Sequence, residues 1–371
     1  GVITRAVVLP DGQKPSATTL DRGLPVVSSV KQAARYAPTF YDVCSPTATH
    51  LEAAQTIVAA DPGANLLIEK PICRPAEARQ MAALASSMRG CLVVNEHYAS
   101  SRLTELLKLR IEQLGLIPER IVAESTKNRL NDFALGRFRD DSIAVLGYEG
   151  AHLIAVVGSL GREYLRADLI DIDLDDVISP DGVVELAKEG GAYIRYRVGA
   201  SCEVELYTSM TGEVGYPCPP YGHTLSAISQ ADTATRYRLL RVDGRTAEGV
   251  LHSLAAFYDP VPGLARHTGA LAVFREHRLV EVVGPLADAT MDQHMRNAVE
   301  HFLGNAANPY PAELGLRDVS FLDGWFAVDE ARDGVAPDVL DGLGSAESSR
   351  RREEEARLFR DNYLEQGTSE K

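Results

Sequence analysis

The stretch from Asp42 to Pro71, DVCSPTATHLEAAQTIVAADPGANLLIEKP, leaves few folds open. It opens inside a short apolar run, Phe40 to Cys44, and crosses a polar turn at Ser45, Pro46 and Thr47. It then reads as a helix from His50 to about Ala60. A second apolar run, Asn65 to Ile68, ends in Glu69-Lys70-Pro71. This is strand, helix, strand, with polar side chains at the carboxyl end of each strand. In an open parallel sheet the ligand crevice lies at those ends.

The flanking sequence continues the alternation. Val2 to Leu9 is a β-branched run stopped by Pro10-Asp11-Gly12. Ser28 or Ser29 is placed to cap a helix over Val30 to Tyr36. Pro75 suits the first turn of a helix running to Met88. Cys91 to Val94 is another buried-type strand and leads into Asn95-Glu96-His97-Tyr98. Short apolar strands alternating with helices predict a parallel sheet with helices on both faces.

After about residue 100 the character changes. Arg102 to Leu114 reads as an amphipathic helix, and Arg120 to Glu124 as a strand running into Ser125, Thr126, Lys127, Asn128 and Arg129. Ile143 to Leu160 is a helical run that holds Tyr148 and His152. Longer strands follow at Tyr164–Ile172, Tyr193–Val198, Cys202–Met210, Arg236–Val242 and Ala270–Phe274, with no helices between them, which predicts an antiparallel sheet. Met291 to Leu303 and Val319 to Glu330 read as helices; His294, Arg296 and His301 on the first are assigned to its surface. From Asp333 the composition turns polar, with SRRREEEAR at the heart of a charged tail.

The totals exclude several classes. A net charge of −14 argues against nucleic acid or an anionic membrane as the main partner. No apolar run approaches the roughly 18 residues of a membrane span. The five cysteines are scattered without a CxxC pair, so neither a disulfide framework nor a metal site is expected; reduced thiols in a cytoplasm are the simple reading.

Several residue groups can carry chemistry. Lys70, between an apolar strand and a proline, can hydrogen-bond a substrate oxygen or move a proton; the plain alternative is a lysine flanking a strand. His152 and Tyr148 are four apart, on one side of a helix, and form a possible proton-transfer pair. A satisfied core histidine is the competing reading. Ser45, Thr47 and His50 sit at a helix start, where they either meet an anionic group or cap the helix. His97 and Tyr98 follow a sheet strand and face the same crevice. Lys127, Asn128 and Arg129 either hold substrate hydroxyls or end a solvated strand. The loop Tyr216 to His223, YPCPPYGH, is a rigid lid or a connection.

Taken together, these residues resemble the Gfo/Idh/MocA family of NAD(P)-dependent oxidoreductases. Cys44 to His50 looks like the family's strand-end "tPtxxH" segment, Leu67 to Pro71 its EKP motif, and Gly150-Ala151-His152 the end of its "DxGxH" helix. The resemblance implies hydride transfer between a nicotinamide and a carbinol or keto carbon of a sugar, aminosugar or cyclitol. It implies that Lys70 is catalytic or orients the substrate, and that His152 contacts the reacting hydroxyl. Cys44, Ser45, Pro46, His50, Glu69, Lys70 and Asn95 would line the cofactor. His97, Tyr98, Lys127, Asn128 and Arg129 would face the substrate. A homo-oligomer, dimer or tetramer, is implied as well.

Two departures qualify the match. No GxGxxG turn precedes the first strand, so the chain, which starts at Gly1, reads as N-terminally incomplete. The motif's aspartate is Tyr148 here, which leaves the phenol as a possible participant. Asp11, at the end of what reads as the second strand, leans the cofactor to NAD over NADP. The expected fold is an N-terminally incomplete Rossmann-type α/β sheet over 1–100. An α+β domain with a mainly antiparallel sheet follows over 101–332, then a polar tail over 333–371. Two other functions compete: a cofactor-free binding or regulatory homologue, suggested by the missing glycine turn, and imine reduction or elimination on the same scaffold, suggested by Tyr148.

Overall fold

The computed structural model describes residues 4, 6–8, 21–127, 129, 146–160, 183–187, 191–198, 202–210, 236–258 and 266–331. Asp11, Asn128, the 164–172 strand, the 216–223 loop and the 333–371 tail lie outside them. The chain divides into two compact units. The first comprises residues 1–95 and 295–319, the second 96–294 and 320–371.

In the first unit, β1 (Val7–Val8) pairs in parallel with β2 (Val26–Val27). Ser29 caps the short helix Val30–Ala33, its hydroxyl accepting from the Gln32 N–H at 3.3 Å. Next come β3 (Tyr41–Val43), β4 (Leu66–Glu69) and β5 (Leu92–Asn95), a parallel sheet in the order β3-β4-β5. Helices His50–Ala60 and Ala78–Ser87 make the two crossovers. Leu66, Leu67 and Ile68 are fully buried. That is why the segment is apolar without alternation: a parallel strand is covered on both faces.

The late segment closes this unit. The Val94 N–H donates to the Tyr310 carbonyl at 2.9 Å, and the Asn308 amide donates to the Leu92 carbonyl at 2.9 Å. Ala298 packs with Leu67 and Val93.

The second unit is built on one eight-stranded sheet. Its strands are β6 (Ile117–Lys127), β7 (Val183–Ala187), β8 (Gly191–Val198), β9 (Cys202–Ser209), β10 (Arg236–Arg245), β11 (Leu251–Phe257), β12 (Thr268–Arg275) and β13 (Arg278–Ala287). The order is β13-β12-β11-β10-β6-β9-β8-β7, antiparallel throughout except where β6 meets β9. One face carries Ile121, Ala123, Val204, Leu206, Leu240, Val242, Leu254 and Leu271, packed in one core with Leu103 and Leu107 of the Arg102–Leu114 helix and with Leu153, Val156 and Val157 of the Ala151–Ser159 helix. The opposite face holds a charged ladder, in which Arg120 pairs with Glu205 and the Arg241 Nε donates to Asp243 at 2.7 Å. Burial pushes the Asp243 carboxyl up, but Arg241, Ser253 and Arg120 outweigh it and hold it below its ordinary value.

Two sequence expectations change. The 143–160 run is not one regular helix: Leu146–Gly150 forms a π-helical turn that leads into the α-helix Ala151–Ser159. A wider turn removes the simple rule that residues four apart share a face. His294 is not at the surface. It is fully buried, with its Nδ1 3.0 Å from the Ser100 hydroxyl, because this edge of the Thr290–Phe302 helix packs onto the chain after β5.

Gly90 precedes β5 where two backbones touch. A Cβ there would lie 2.0 Å from the Ala64 carbonyl oxygen, an atom that cannot swing aside. Gly90→Ala should lower unfolding free energy by about 1–3 kcal/mol. Urea denaturation checks this, and a wild-type midpoint would contradict a steric role for Gly90.

Candidate functional site

In the first unit the in-register strands deliver their last residues side by side. Ile68 pairs with both Val43 and Val94, and Glu69 with Asn95. Cys44 and Ser45 follow β3, Lys70 follows β4, and Asn95 closes β5. The Asn95 amide donates to the Glu69 carboxylate at 2.6 Å. Asn95 Oδ1 is buried and has no hydrogen-bond partner among the described residues. Turning the amide over would set oxygen against carboxylate, so the unpaired acceptor belongs to the site. Burial raises the Cys44 thiol above its ordinary value, helped by the Asp42 and Glu69 carboxylates.

His50 ties two of these exits together. Its ring is 1% exposed. Nε2 is 2.8 Å from the Ser45 carbonyl after β3, and Nδ1 is 2.9 Å from the Pro71 carbonyl after β4. The Lys70–Pro71 peptide is cis, and Lys70 is half-buried. Ser45 is engaged locally, its hydroxyl accepting from Thr49 at 2.8 Å; Thr49 also donates to the Pro46 carbonyl. The structure therefore gives Ser45, Pro46 and His50 a turn-building role whatever they contact when a ligand is present.

The second unit holds a compact aromatic and acid–base group. Glu96, 1% exposed, and His152, 8% exposed, meet with both carboxylate oxygens 2.9 Å from Nδ1. The Tyr98 N–H donates to the same carboxylate at 3.3 Å. The His97 ring lies 5.1 Å from His152 between centroids, and Tyr98 meets His152 edge-on at 5.0 Å. His97 Nδ1 is 2.7 Å from the Thr290 hydroxyl, and the Arg238 guanidinium sits 5.2 Å above the Tyr98 ring.

The remaining candidates fall apart from this group. Tyr148 is half-buried and packs against the sheet core. Its neighbour Glu149, 1% exposed, pairs with Arg129 and is 3.5 Å from the Ser125 hydroxyl. Arg129 is thereby engaged in holding the π-turn, and Lys127 is half-buried at the end of β6. No group of three or more His, Cys, Asp or Glu able to hold a metal occurs among the described residues.

Sequence reasoning passed over Glu96. It stands directly after β5 as Lys70 stands after β4, but nothing in a single chain pairs it with a histidine 56 positions later. Glu149 and Thr290 were given no site role, and His294 was placed at its helix surface, because their partners lie across the fold.

Residues 4–96 match the model of the Gfo/Idh/MocA family, described as an oxidoreductase family with an NAD-binding Rossmann fold. No curated protein matches the sequence. Solved structures share the fold over most of the chain. An NADPH-dependent oxidoreductase from Desulfitobacterium hafniense is 12% identical, with 85% of each chain covered and a TM-score of 0.61. The 3-ketoreductase KijD10 from Actinomadura kijaniata, solved with TDP-benzene and NADP, is 16% identical, with 83% of each covered and a TM-score of 0.59. UDP-N-acetylglucosamine 3-dehydrogenase from Acidithiobacillus ferrooxidans is 14% identical, with 88% of this chain and 86% of that one covered and a TM-score of 0.55. At these identities the likeness is one of fold.

The His50 contact yields a pH-dependent stability. Burial lowers the ring below its ordinary value of 6.5, and the Ser45 and Pro71 carbonyls restore only part of that. The folded ring then binds a proton less readily than the unfolded one. Its stabilising contribution is complete above the unfolded value and declines as pH falls toward the folded one. The stability gap between wild type and His50→Gln should be larger at about pH 7.5 than at about pH 5.5. Denaturant titrations at both conditions measure it, and a gap that widens on acidification would contradict this assignment.

Proposed function

We propose that the chain is an NAD(P)-dependent oxidoreductase that moves a hydride between the nicotinamide and a carbinol or keto carbon of a sugar, aminosugar or cyclitol. The observation that carries this reading is Glu69-Lys70-Pro71 at the exit of β4, within the segment that matches the family. Bound nicotinamide supplies the hydride acceptor or donor. The unpaired Asn95 Oδ1 fits a ligand that brings a hydrogen-bond donor to this end of the sheet. Cys44, Ser45, Pro46, His50, Glu69 and Asn95 would hold the nicotinamide side. Asp11, on which the lean to NAD rests, and Asn128 lie outside the described residues.

In the oxidation direction the Lys70 ammonium donates a hydrogen bond to the reacting oxygen, and His152 takes the hydroxyl proton as the hydride leaves the same carbon. Reduction runs the two steps in reverse. His97, Tyr98 and Lys127 supply contacts to the remaining substrate hydroxyls. Arg129 acts through its pair with Glu149. Tyr148, packed on the core, is the weakest of the catalytic candidates. The buried Cys73 and Cys202 thiols, pushed up to about 12 by burial first and then by Glu77 and Glu203, suit a reduced compartment such as the cytoplasm. The protein works there as a homo-oligomer, as the resemblance implies.

The test is turnover, followed as NAD(P)H absorbance, on a panel of sugars, cyclitols and UDP-N-acetylglucosamine with NAD and with NADP. Lys70→Ala should reduce kcat/KM by about 10²- to 10⁴-fold on the best substrate. Wild-type turnover by that variant would remove Lys70 from the chemistry. Failure of NADH to bind in a fluorescence titration would favour the cofactor-free homologue.

A further inference from the structure

We propose that Glu96 is the positioning residue for His152: its carboxylate holds the Nδ1–H tautomer and leaves Nε2 as the proton acceptor. This rests on the hydride-transfer reading for its catalytic consequence, but the tautomer it sets is a property of the protein alone. The geometry comes first. Both Glu96 oxygens lie 2.9 Å from Nδ1, and a carboxylate can only accept, so Nδ1 carries the proton. The pair is buried on both sides, which strengthens the interaction and makes a lone charge there costly. Glu96 is itself held: it caps the His97–Ser100 turn by accepting from the Tyr98 N–H.

The other carboxyl-bearing position near this helix start is already committed. Glu149 pairs with Arg129 and reaches toward Ser125. Position 148, one turn before His152, presents a phenol that packs on the core. The carboxylate that orients the imidazole therefore comes from the residue after β5 and not from the histidine's own helix. During oxidation the substrate hydroxyl proton goes to Nε2. The Nδ1 proton stays on the ring and is donated to Glu96, which stabilises the imidazolium without taking the proton. The His97 ring at 5.1 Å and the Tyr98 ring at 5.0 Å pack beside the imidazole.

The experiment is nitrogen-15 NMR of the histidine side chains in the intact chain, with His152 assigned by its loss in His152→Gln. Wild type should show a pyrrole-like Nδ1 and a pyridine-like Nε2. Glu96→Met, which fills the space without an acceptor, should shift His152 toward the Nε2–H tautomer. Glu96→Asp should retain the wild-type signature. On the panel substrate turned over fastest, Glu96→Met should lose about 10²- to 10³-fold in kcat with KM changed less than about threefold, and Glu96→Asp should recover part of that loss. An Nε2–H tautomer in wild type, or an unchanged His152 signature in Glu96→Met, would overturn the proposal. If no panel compound is turned over, the functional reading fails while the tautomer still decides the role of Glu96.

Discussion

The register of three parallel strands is the constraint from which the first unit follows. Val43, Ile68 and Val94 lie abreast, so whatever comes next in each strand emerges at one edge. Hydrogen bonding between adjacent parallel strands demands this alignment, and a crossover helix is the compact way to return the chain for it. The His50–Ala60 helix therefore does more than connect. Its first residue turns its ring back to the carbonyls of Ser45 and Pro71 and secures two of the exits. Shifting any one strand by a residue would misalign its ladder hydrogen bonds and move its exit residues, Lys70 among them, away from their neighbours.

The carboxylates described in both units follow one rule, that each is held by a hydrogen-bonding or charged partner. Glu69 receives the Asn95 amide, Glu96 receives His152, Glu149 receives Arg129, and Asp243 receives Arg241. Removing one member would strand the other in a poor solvent for charge. Asn95 Oδ1 has no such partner among the described residues, at a strand exit within the segment that carries the family match. An unsatisfied buried acceptor costs about 1–3 kcal/mol, and such costs concentrate where a ligand can relieve them.

Much of this was legible along the chain. Leu66 to Glu69 reads as a buried strand because it is apolar on both faces, and the helix after Thr47 because its apolar residues repeat at helical spacing. The antiparallel sheet was legible from strands without intervening helices. The pairing of β6 with β9 was not, since it joins residues about 83 positions apart, as Ala123 with Leu206, and no local pattern records that choice. His294 was misplaced for the same reason. Its helix is amphipathic, but which edge meets the core depends on a partner, Ser100, that lies far away in sequence.

The sequence by itself determined the strand–helix–strand order and the residues that end each strand, and it offered Lys70 and His152 as candidates for proton chemistry. These are local matters of periodicity and turn chemistry, and local propensity is written in neighbours. Only the tertiary structure decided which carboxylate faces His152, that Arg129 braces a turn, and that the Tyr148 ring packs on the core. Those outcomes depend on which side chains share a buried volume. In that volume the cost of an unpaired charge selects partners by distance in space, to which separation along the chain is no guide.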